Sequence, residues 1–455
     1  MKWIIFPVAL LLAACGSPQT TRLATPDIEL PPMRTFGQTA PQAPVYSNAQ
    51  IARDFLDLTF HLENGQALQT FTRVEGPITV RVLGTAPQTL SHDLDRLLTR
   101  LRAEARLPIT RVAADQPATI TVEPMTRKQI QSVAPTAACF VRPNVSSWDE
   151  YRARRNDPAT FWNRLRERDS LAVFLPNDVS PQEMRDCLHE EIAQGLGPVN
   201  DIYRLSTSIF NDDNFHAVLT GYDMLILRAT YDQSLRSGMS RQQVAQRLPS
   251  ILQRLNPRGG TGAIAPPARQ MGAWQRAIGR ATSPRGSAAA RLTAAKRAVS
   301  LASGAGGSDP RLAFSHYVLG RQSLATDPAA ALQAFLTAGT IYQTRQDSGV
   351  QEAHVALQVA AFQLSAGRGE IAQQLVDQNL ATVRRAENAS LLSLLLLVKA
   401  EALELQSRRA EADAARRDAL AWGRYGFGSA REVRTRVAEI VAISPRSRAQ
   451  GEGPT

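Results

Sequence analysis

Short apolar runs alternate with amphipathic stretches between residues 48 and 255. Residues 48–60 place apolar side chains at helical spacing, and residues 91–105 predict a second amphipathic helix that is capped by Ser91. Four segments are β-branched or continuously apolar and are flanked by turn residues, which predicts strands at 77–84, 109–114, 118–125 and 170–176. The pattern therefore predicts a domain of the α+β class over residues 48–255.

One further helix of this domain is predicted between Pro181 and Gly197. Ser180 and Glu183 form a capping box, and proline suits the first position of a helix. At 100° per residue, one face carries Met184, Leu188, Ile192 and Leu196. The opposite face carries Glu183, Cys187, Glu190, Gln194 and Gly197. This second face is either a functional site or an ordinary solvated helix surface.

The chain becomes helical and rich in Ala, Leu and Gln from residue 287 to residue 444. Ala331, Ala372 and Ala412 recur at spacings of 41 and 40 residues, each after an apolar helix. These units resemble tetratricopeptide repeats, most closely at Leu319, Gly320, Ala331, Phe335 and Ala338. The resemblance implies an all-α domain with a surface for a protein or peptide partner. A helical bundle without repeats is the alternative.

The first fifteen residues predict export from the cytoplasm. An apolar run follows Lys2 but is too short to span a membrane, which takes about 20 residues, so residues 1–14 are predicted to be a signal peptide. The sequence LAAC, which ends at Cys15, resembles the lipobox of bacterial lipoproteins and implies acylation of Cys15. By the same resemblance, Gly16 implies an outer-membrane protein that faces the periplasm. A plain signal peptide with a chance cysteine is the alternative.

Three other segments have the composition of connections. Residues 15–47 are rich in Pro, Thr, Gln and Ala and predict a tether from the acylated cysteine. Residues 256–286 contain the Gly and Pro of a linker, and residues 445–455 are predicted to be disordered. The sequence therefore predicts two folded domains that are carried by one anchored chain.

Two cysteines remain beyond the proposed anchor. An exported protein folds in an oxidising compartment, so Cys139 and Cys187 are predicted to form a disulfide. The alternative is that both are small buried thiols.

The composition and the distribution of charge bear on whether the protein binds nucleic acid. The chain is 44% hydrophobic and 20% charged, as in ordinary globular proteins, and its formal net charge is +11. The arginines are scattered among acidic residues, and the sequence contains no compact basic run with interleaved aromatic residues. We therefore expect no nucleic-acid partner.

The helix that begins at Pro181 fits a zinc-protease template in a shifted register. The metzincin pattern HExxHxxGxxH places its three ligand positions on Glu190, Gln194 and Asn200. Glu191 then takes the position of the general base, and Gly197 takes the position where the chain turns toward the third ligand. None of the three ligand positions holds histidine, and His189 has no second histidine four residues on.

Downstream motifs carry a resemblance to a known family. The sequence SIFND places Phe210 where matrixin-like domains have the methionine of the turn beneath the metal, and LTGYD and LRATYD follow. Together with the EEIAQ helix and the Asn200–Asp201 pair, these motifs resemble the bacterial family called domain of unknown function 2927. The resemblance covers about residues 48–238 and implies a fold distantly related to the metzincins. It implies no established activity.

The candidate site offers mostly oxygen ligands. Carboxylate and amide oxygens from Glu190, Gln194, Asn200 and Asp201 suit Ca²⁺, Mg²⁺ or Mn²⁺ better than zinc. The cofactor is therefore expected to be one divalent metal ion, bound by these residues with His189 as a further candidate, or none. Without a metal, the same side chains would form a hydrogen-bonded network.

Two functions are consistent with this reading. The first is a non-catalytic binding or assembly module of the cell envelope, anchored to the membrane by lipid, with its partner on the helical repeats. The alternative is a metal-dependent peptidase or amidase in which Glu191 is the general base. The altered ligand positions favour the inactive form.

Overall fold

The computed structural model describes residues 28–37, 42–266, 271–305 and 309–445. The chain divides into two compact units. Of the described residues, the first unit takes in 42–179 and 183–266, and the second takes in 28–37, 180–182, 271–305 and 309–445. The predicted signal peptide 1–14, the predicted lipidation site Cys15 and residues 446–455 of the predicted tail lie outside the described residues.

A mixed sheet of five strands forms the centre of the first unit. The strands are β1 (Ile78–Val82), β2 (Ile109–Arg111), β3 (Ile120–Met125), β4 (Phe140–Pro143) and β5 (Leu171–Pro176). Their order is β2-β1-β3-β5-β4, and only β4 runs antiparallel to its neighbour. Every residue of β5 is buried, as expected for a strand with neighbours on both edges and cover on both faces. The predicted α+β class is confirmed to the level of a mixed sheet with helices.

Among the described residues of this unit, seven α-helices accompany the sheet. They are α1 (Asn48–Thr59), α2 (Gln88–Ala103), α3 (Arg127–Val133), α4 (Trp148–Arg154), α5 (Pro181–Leu196), α6 (Gly221–Thr230) and α7 (Arg241–Leu255). The helix predicted to be capped by Ser91 is α2, and that cap is wrong. Pro87 is the N-cap, and the Ser91 backbone N–H donates to the Pro87 carbonyl, so Ser91 lies inside the helix.

The predicted disulfide is present. Cys139, just before β4, is bonded to Cys187 in α5, across a separation of 48 residues. The bond links the edge strand β4 to the helix that carries the candidate site. In the loop-entropy model, a cross-link of this length stabilises the folded state by about 4 kcal/mol.

The described residues of the second unit that lie in regular structure are all helical. The helices are α8 (Gly272–Thr282), α9 (Ala288–Ala302), α10 (Pro310–Ser323), α11 (Pro328–Gln343), α12 (Gly349–Ser365), α13 (Gly369–Arg385), α14 (Ala389–Leu405), α15 (Arg409–Phe427) and α16 (Ala430–Ile443). Three successive helix pairs begin at α10, α12 and α14, which start 39 and 40 residues apart. Ala331, Ala372 and Ala412, the residues that defined the predicted period, are all fully buried.

Close packing explains why small residues recur in these pairs. A Cβ at Gly320 in α10 would lie 2.7 Å from the ring of Phe335 in α11. Glycine therefore lets the aromatic ring pack directly on the helix backbone. The all-helical character of this part of the chain is confirmed.

The span predicted as a linker, 256–286, contains a folded helix. Helix α8 buries Trp274, Ala277, Ile278 and Ala281, which recur at helical spacing. The indole N–H of Trp274 donates to Ser315 Oγ in α10 at 2.8 Å. The helix was not predicted because glycines and prolines flank its short apolar stripe and are typical of a linker.

Ten residues of the span predicted as a tether pack against the second unit. Residues 28–37 form neither helix nor strand, and Phe36 joins the hydrophobic core of the helices. Apolar residues within a polar, proline-rich composition account for this difference. In the described part of the chain, no helix is both long enough and apolar enough to cross a membrane.

Candidate functional site

The apolar face of α5 is buried as the sequence predicts. Met184, Leu188, Ile192 and Leu196 belong to the core that also includes residues from the sheet. Because these residues recur every four positions, they form one stripe along the helix. The stripe and the disulfide at Cys187 hold α5 as a fixed platform for its remaining side chains.

The polar face of α5 is buried as well. Glu190 is 9% exposed, Gln194 is 8% exposed and Glu191 is 2% exposed. This burial excludes the alternative in which the face is an ordinary solvated helix surface. Among the described residues, Nε2 of Gln194 has no hydrogen-bond partner. The three side chains are therefore shielded from water, and a polar group in such a position depends strongly on its neighbours.

Arg168 secures the C-terminal end of α5. Its guanidinium donates to the carbonyl oxygens of Gln194 and Gly195 at 2.7 Å and of Gly197 at 2.6 Å. These carbonyls lie in the last turn of the helix and just beyond it, where the chain supplies few backbone donors. Burial lowers the pKa of Arg168 to about 10, so the side chain remains charged at neutral pH. The face of Trp162 lies 5.0 Å from the guanidinium carbon.

The role of Arg168 at the end of α5 was not predicted from the sequence. It lies two residues before a predicted strand, in a run of charged residues that is typical of a surface loop. A buried arginine has no periodic signature, because its partners are backbone carbonyls from a distant segment.

The chain turns away from α5 at Gly197. A Cβ at this position would lie 3.0 Å from Cγ2 of Thr230, so glycine permits the close approach of α6. Beyond the turn, Nδ2 of Asn200 donates to the Asp57 carbonyl at 3.0 Å, in the direction of α1. Asp201 is buried. A convergence of Asn200 or Asp201 with the polar face of α5 stays a prediction.

A group of acidic residues surrounds Tyr203. Burial, followed by the negative charges of Asp212, Asp213 and Asp201, raises the pKa of Tyr203 well above its ordinary value. A hydrogen bond to Asp212 contributes in the same direction. The tyrosine hydroxyl is therefore held in its neutral form. The sequence analysis singled out Asp201 alone, although the motif NDDN, which contains the other two carboxylates, was visible.

The turn that contains Phe210 is fixed from α6. Asp223 accepts hydrogen bonds from Ser208 Oγ at 2.5 Å and from the Ile209 backbone N–H at 3.1 Å. The same carboxylate caps its own helix by forming a capping box with Thr220. Phe210 is fully buried, and its carbonyl accepts from the Ile202 N–H at 2.9 Å. Its placement beneath a metal position stays a prediction.

The two histidines of this region bond to different backbone groups. Nδ1 of His189 accepts from the Leu219 N–H at 3.2 Å. Burial, and then the positive charges of Arg100, Arg185 and Arg96, lower the pKa of His189 well below its ordinary value. Nε2 of His216 lies 2.8 Å from the Ser206 carbonyl oxygen and donates to it. His189 is therefore a neutral hydrogen-bond acceptor.

The carboxyl groups of Glu190, Glu191 and Asp201 are all buried. Over residues 28–37, 42–266, 271–305 and 309–445, no group of three or more His, Cys, Asp and Glu side chains is arranged to hold a metal ion. Oxygen atoms of Glu190, Gln194 and Asp201 are the donors that a divalent ion would use. The described side chains otherwise act as hydrogen-bonding and charge-pairing groups.

Residues 48–250 match a family model described as Protein of unknown function (DUF2927). The chain carries a DUF2927 domain. This match spans the first unit from the start of α1 into α7 and confirms the family resemblance of the EEIAQ and SIFND motifs. No curated protein matches the chain.

Proposed function

We propose that this protein is a lipid-anchored, periplasmic binding or assembly module of the bacterial cell envelope, and that its DUF2927 domain has no hydrolytic activity. The observation that carries the inactive assignment is the burial of Glu191, which is 2% exposed. A general base must reach a water molecule and the bond under attack, within hydrogen-bonding distance of both.

The neighbouring positions support the same proposal. Glu190 and Gln194, at two ligand positions of the metzincin-like template, are also more than nine-tenths buried. The third ligand position, Asn200, directs its amide to a backbone carbonyl of α1. A peptide substrate needs an open cleft, whereas these groups are enclosed by the fold.

A metal-dependent peptidase is the second candidate. The observation in its favour is that the carboxylate of Glu190 and the amide of Gln194 lie one turn apart on a buried helix face, because carboxylate and amide oxygens are ligands of divalent ions. In this case Glu190, Gln194 and Asn200 or Asp201 would bind an ion, and Glu191 would activate water. A resident ion would supply the polarisation of that water.

The helical unit supplies the partner surface in this proposal. Its paired helices repeat at 39 and 40 residues, and stacked helical pairs commonly build extended binding surfaces. The packing of Gly320 against Phe335 supports the tetratricopeptide-like assignment.

Substitution of Glu191 by Gln distinguishes the two functions because it keeps the shape and removes the base. Glu167→Gln, at an exposed position of the same unit, is the matched control. Each full-length protein is assayed with fluorogenic peptides and peptidoglycan fragments, with Zn²⁺, Mn²⁺ or Ca²⁺ added, and its bound metal is measured. We expect no turnover above background in any of the three proteins.

A peptidase would give a different result. Wild-type turnover that falls by ~10²-fold or more in Glu191→Gln, but not in Glu167→Gln, would overturn the non-catalytic proposal. If the protein binds one equivalent of metal but shows no turnover, the non-catalytic proposal stands and the ion has a structural role.

A further inference from the structure

Residues 28–37, called the strap here, lie against α15 and α16 of the second unit. The sequence IELPPMRTFG forms neither helix nor strand, and Pro31–Pro32 lie at its centre. Two consecutive prolines favour an extended chain and lack N–H donors. Such a segment loses little conformational entropy on binding and is recognised through its carbonyl groups and side chains.

An aromatic contact holds one end of the strap. The ring of Phe36 stacks on Trp422 of α15 with centroids 4.4 Å apart, and it meets the ring of Tyr425 edge-on at 6.3 Å. Phe36 is 7% exposed, so this side chain is inserted into the helical core. Ile28, Leu30 and Met33 pack against the same core at the other positions.

Arginines of the helices bind the backbone of the strap. Arg424 donates to the Pro31 carbonyl at 2.9 Å, and Arg434 of α16 donates twice to the Ile28 carbonyl at 3.2 Å. The backbone N–H of Arg34 donates to the Ala421 carbonyl at 3.1 Å. These contacts do not depend on side-chain identity, so they would hold any extended segment in the same register.

A charge pair adds a specific side-chain contact. Arg34 lies 2.8 Å from Asp418, which is also paired with Arg384 at 3.0 Å. The guanidinium of Arg384 lies 5.9 Å from the ring of Trp422. The site therefore combines an aromatic wall with an acidic group at its rim.

The strap leaves one group of this site unsatisfied. The indole N–H of Trp422 is buried and has no acceptor within the described residues. A buried donor without an acceptor costs free energy. A different segment could remove this cost by placing a carbonyl or hydroxyl oxygen next to the indole N–H. The resident segment is therefore not the best ligand that the site can hold.

We propose that Asp418, Ala421, Trp422, Arg424 and Arg434 form a peptide-binding site, called the strap site, and that the strap is its built-in competitor. The partner is an extended, proline-containing segment with a cationic residue two positions before an aromatic one. Because a segment of the same chain has a high effective concentration, only a better-fitting segment displaces it. The proposal rests on the proposed function, since it locates the partner surface of the helical unit.

A labelled peptide tests whether the strap site accepts a segment in trans. The probe is a fluorescein-labelled peptide of residues 28–37, and binding to full-length proteins is measured by anisotropy. Phe36→Ala weakens the strap, and Thr35→Ala, at the exposed neighbouring position, is its control. We expect Phe36→Ala to bind the peptide ~10²-fold more tightly than wild type or Thr35→Ala, because the competitor is weakened.

A second pair of variants locates the bound peptide. Phe36→Ala combined with Arg424→Ala loses the contact to the Pro31 carbonyl and should bind at least ~10-fold more weakly than Phe36→Ala alone. Phe36→Ala combined with Arg417→Ala, at an exposed position of α15, should match Phe36→Ala. If Phe36→Ala is misfolded by circular dichroism, Arg34→Glu replaces it, because Arg34 is more than half exposed.

Equal peptide affinity for wild type and the strap variant, absence of saturable binding, or indifference to Arg424→Ala would each overturn the proposal. These outcomes are independent of the Glu191→Gln assay. A failed strap site therefore leaves the non-catalytic assignment intact, and a measured peptidase activity leaves the strap site intact.

Discussion

At the scale of single residues, His189 is held neutral by its surroundings. Burial and three arginines lower its pKa well below the ordinary value, whereas the unfolded chain binds a proton near pH 6.5. As pH falls through about 6.5, the unfolded state takes up a proton and the folded state does not. Stability contributed by His189 is therefore present above this pH and is lost below it. We expect the free energy of unfolding to fall by about 1.4 kcal/mol from this residue by about pH 5.5.

The measurement compares urea unfolding of wild type and His189→Asn across this range. Asparagine keeps an acceptor for the Leu219 N–H but does not titrate. The variant should lack the fall, and His92→Asn, at an exposed position, should retain it. Burial raises the pKa of Asp223 to about 6, so a fall in pH stabilises the folded state through this residue and opposes the effect of His189. Wild type and His189→Asn both contain Asp223, so its contribution cancels in the comparison. An identical pH dependence in wild type and His189→Asn would contradict the neutral, buried histidine.

Residue identities at the candidate site were predictable in part. The helical period identified the core stripe of α5 and placed Glu190 and Gln194 on one face. It did not reveal that this face is buried, because burial depends on segments that fold over it from elsewhere in the chain. Tyr203 and Arg168 were missed for the same reason, since their roles come from long-range contacts.

At the scale of elements, the C-terminal end of α5 depends on Arg168. Three carbonyls share its guanidinium, and the fork geometry supplies donors in two directions. Replacing Arg168 by Met removes the guanidinium donors from three carbonyls, of which only that of Gln194 keeps a backbone donor, the Gly197 N–H, within the described residues. We expect the free energy of unfolding to fall by about 3 kcal/mol or more, as urea unfolding would show.

Two other substitutions sharpen this prediction. Arg168→Lys keeps the charge but offers a point donor in place of a fork, so its loss should be intermediate. Arg166→Met, at an exposed position two residues away, should change stability by less than ~0.5 kcal/mol. A loss in Arg168→Met no larger than in Arg166→Met would show that the last turn of α5 does not need this arginine.

Elements with strong local signals were predicted well. The four predicted strands correspond to β1, β2, β3 and β5, which are apolar and bounded by turn residues. Strand β4 was missed because it is four residues long and its antiparallel pairing with β5 is a tertiary contact. Helix α8 was missed inside a Gly- and Pro-rich span, where flanking composition outweighed an eleven-residue apolar stripe.

At the scale of the whole molecule, the strap changes how a lipid anchor would connect to the folded chain. If Cys15 is acylated, twelve residues separate it from Ile28, so the two residues can lie at most about 45 Å apart. Within the described residues, Ile28 and Pro31 contact α16 and α15 through their carbonyl oxygens. An anchored protein would therefore hold these helices close to the membrane.

The anchor itself is tested by two changes at the predicted cleavage site. Acyl chains contribute about 0.8 kcal/mol per buried CH₂, so a multiply acylated Cys15 binds a membrane firmly. Cys15→Ser should move the protein from the membrane fraction to the soluble fraction or leave its signal uncut. Gly16→Asp should keep the lipid and shift the protein from outer-membrane to inner-membrane fractions on a density gradient. Metabolic labelling with a palmitate analogue should mark wild type and Gly16→Asp but not Cys15→Ser. Wild-type protein that stays in the membrane fraction without the palmitate label would contradict the lipoprotein assignment. The strap would then pack on the helices of a protein that has no lipid at Cys15.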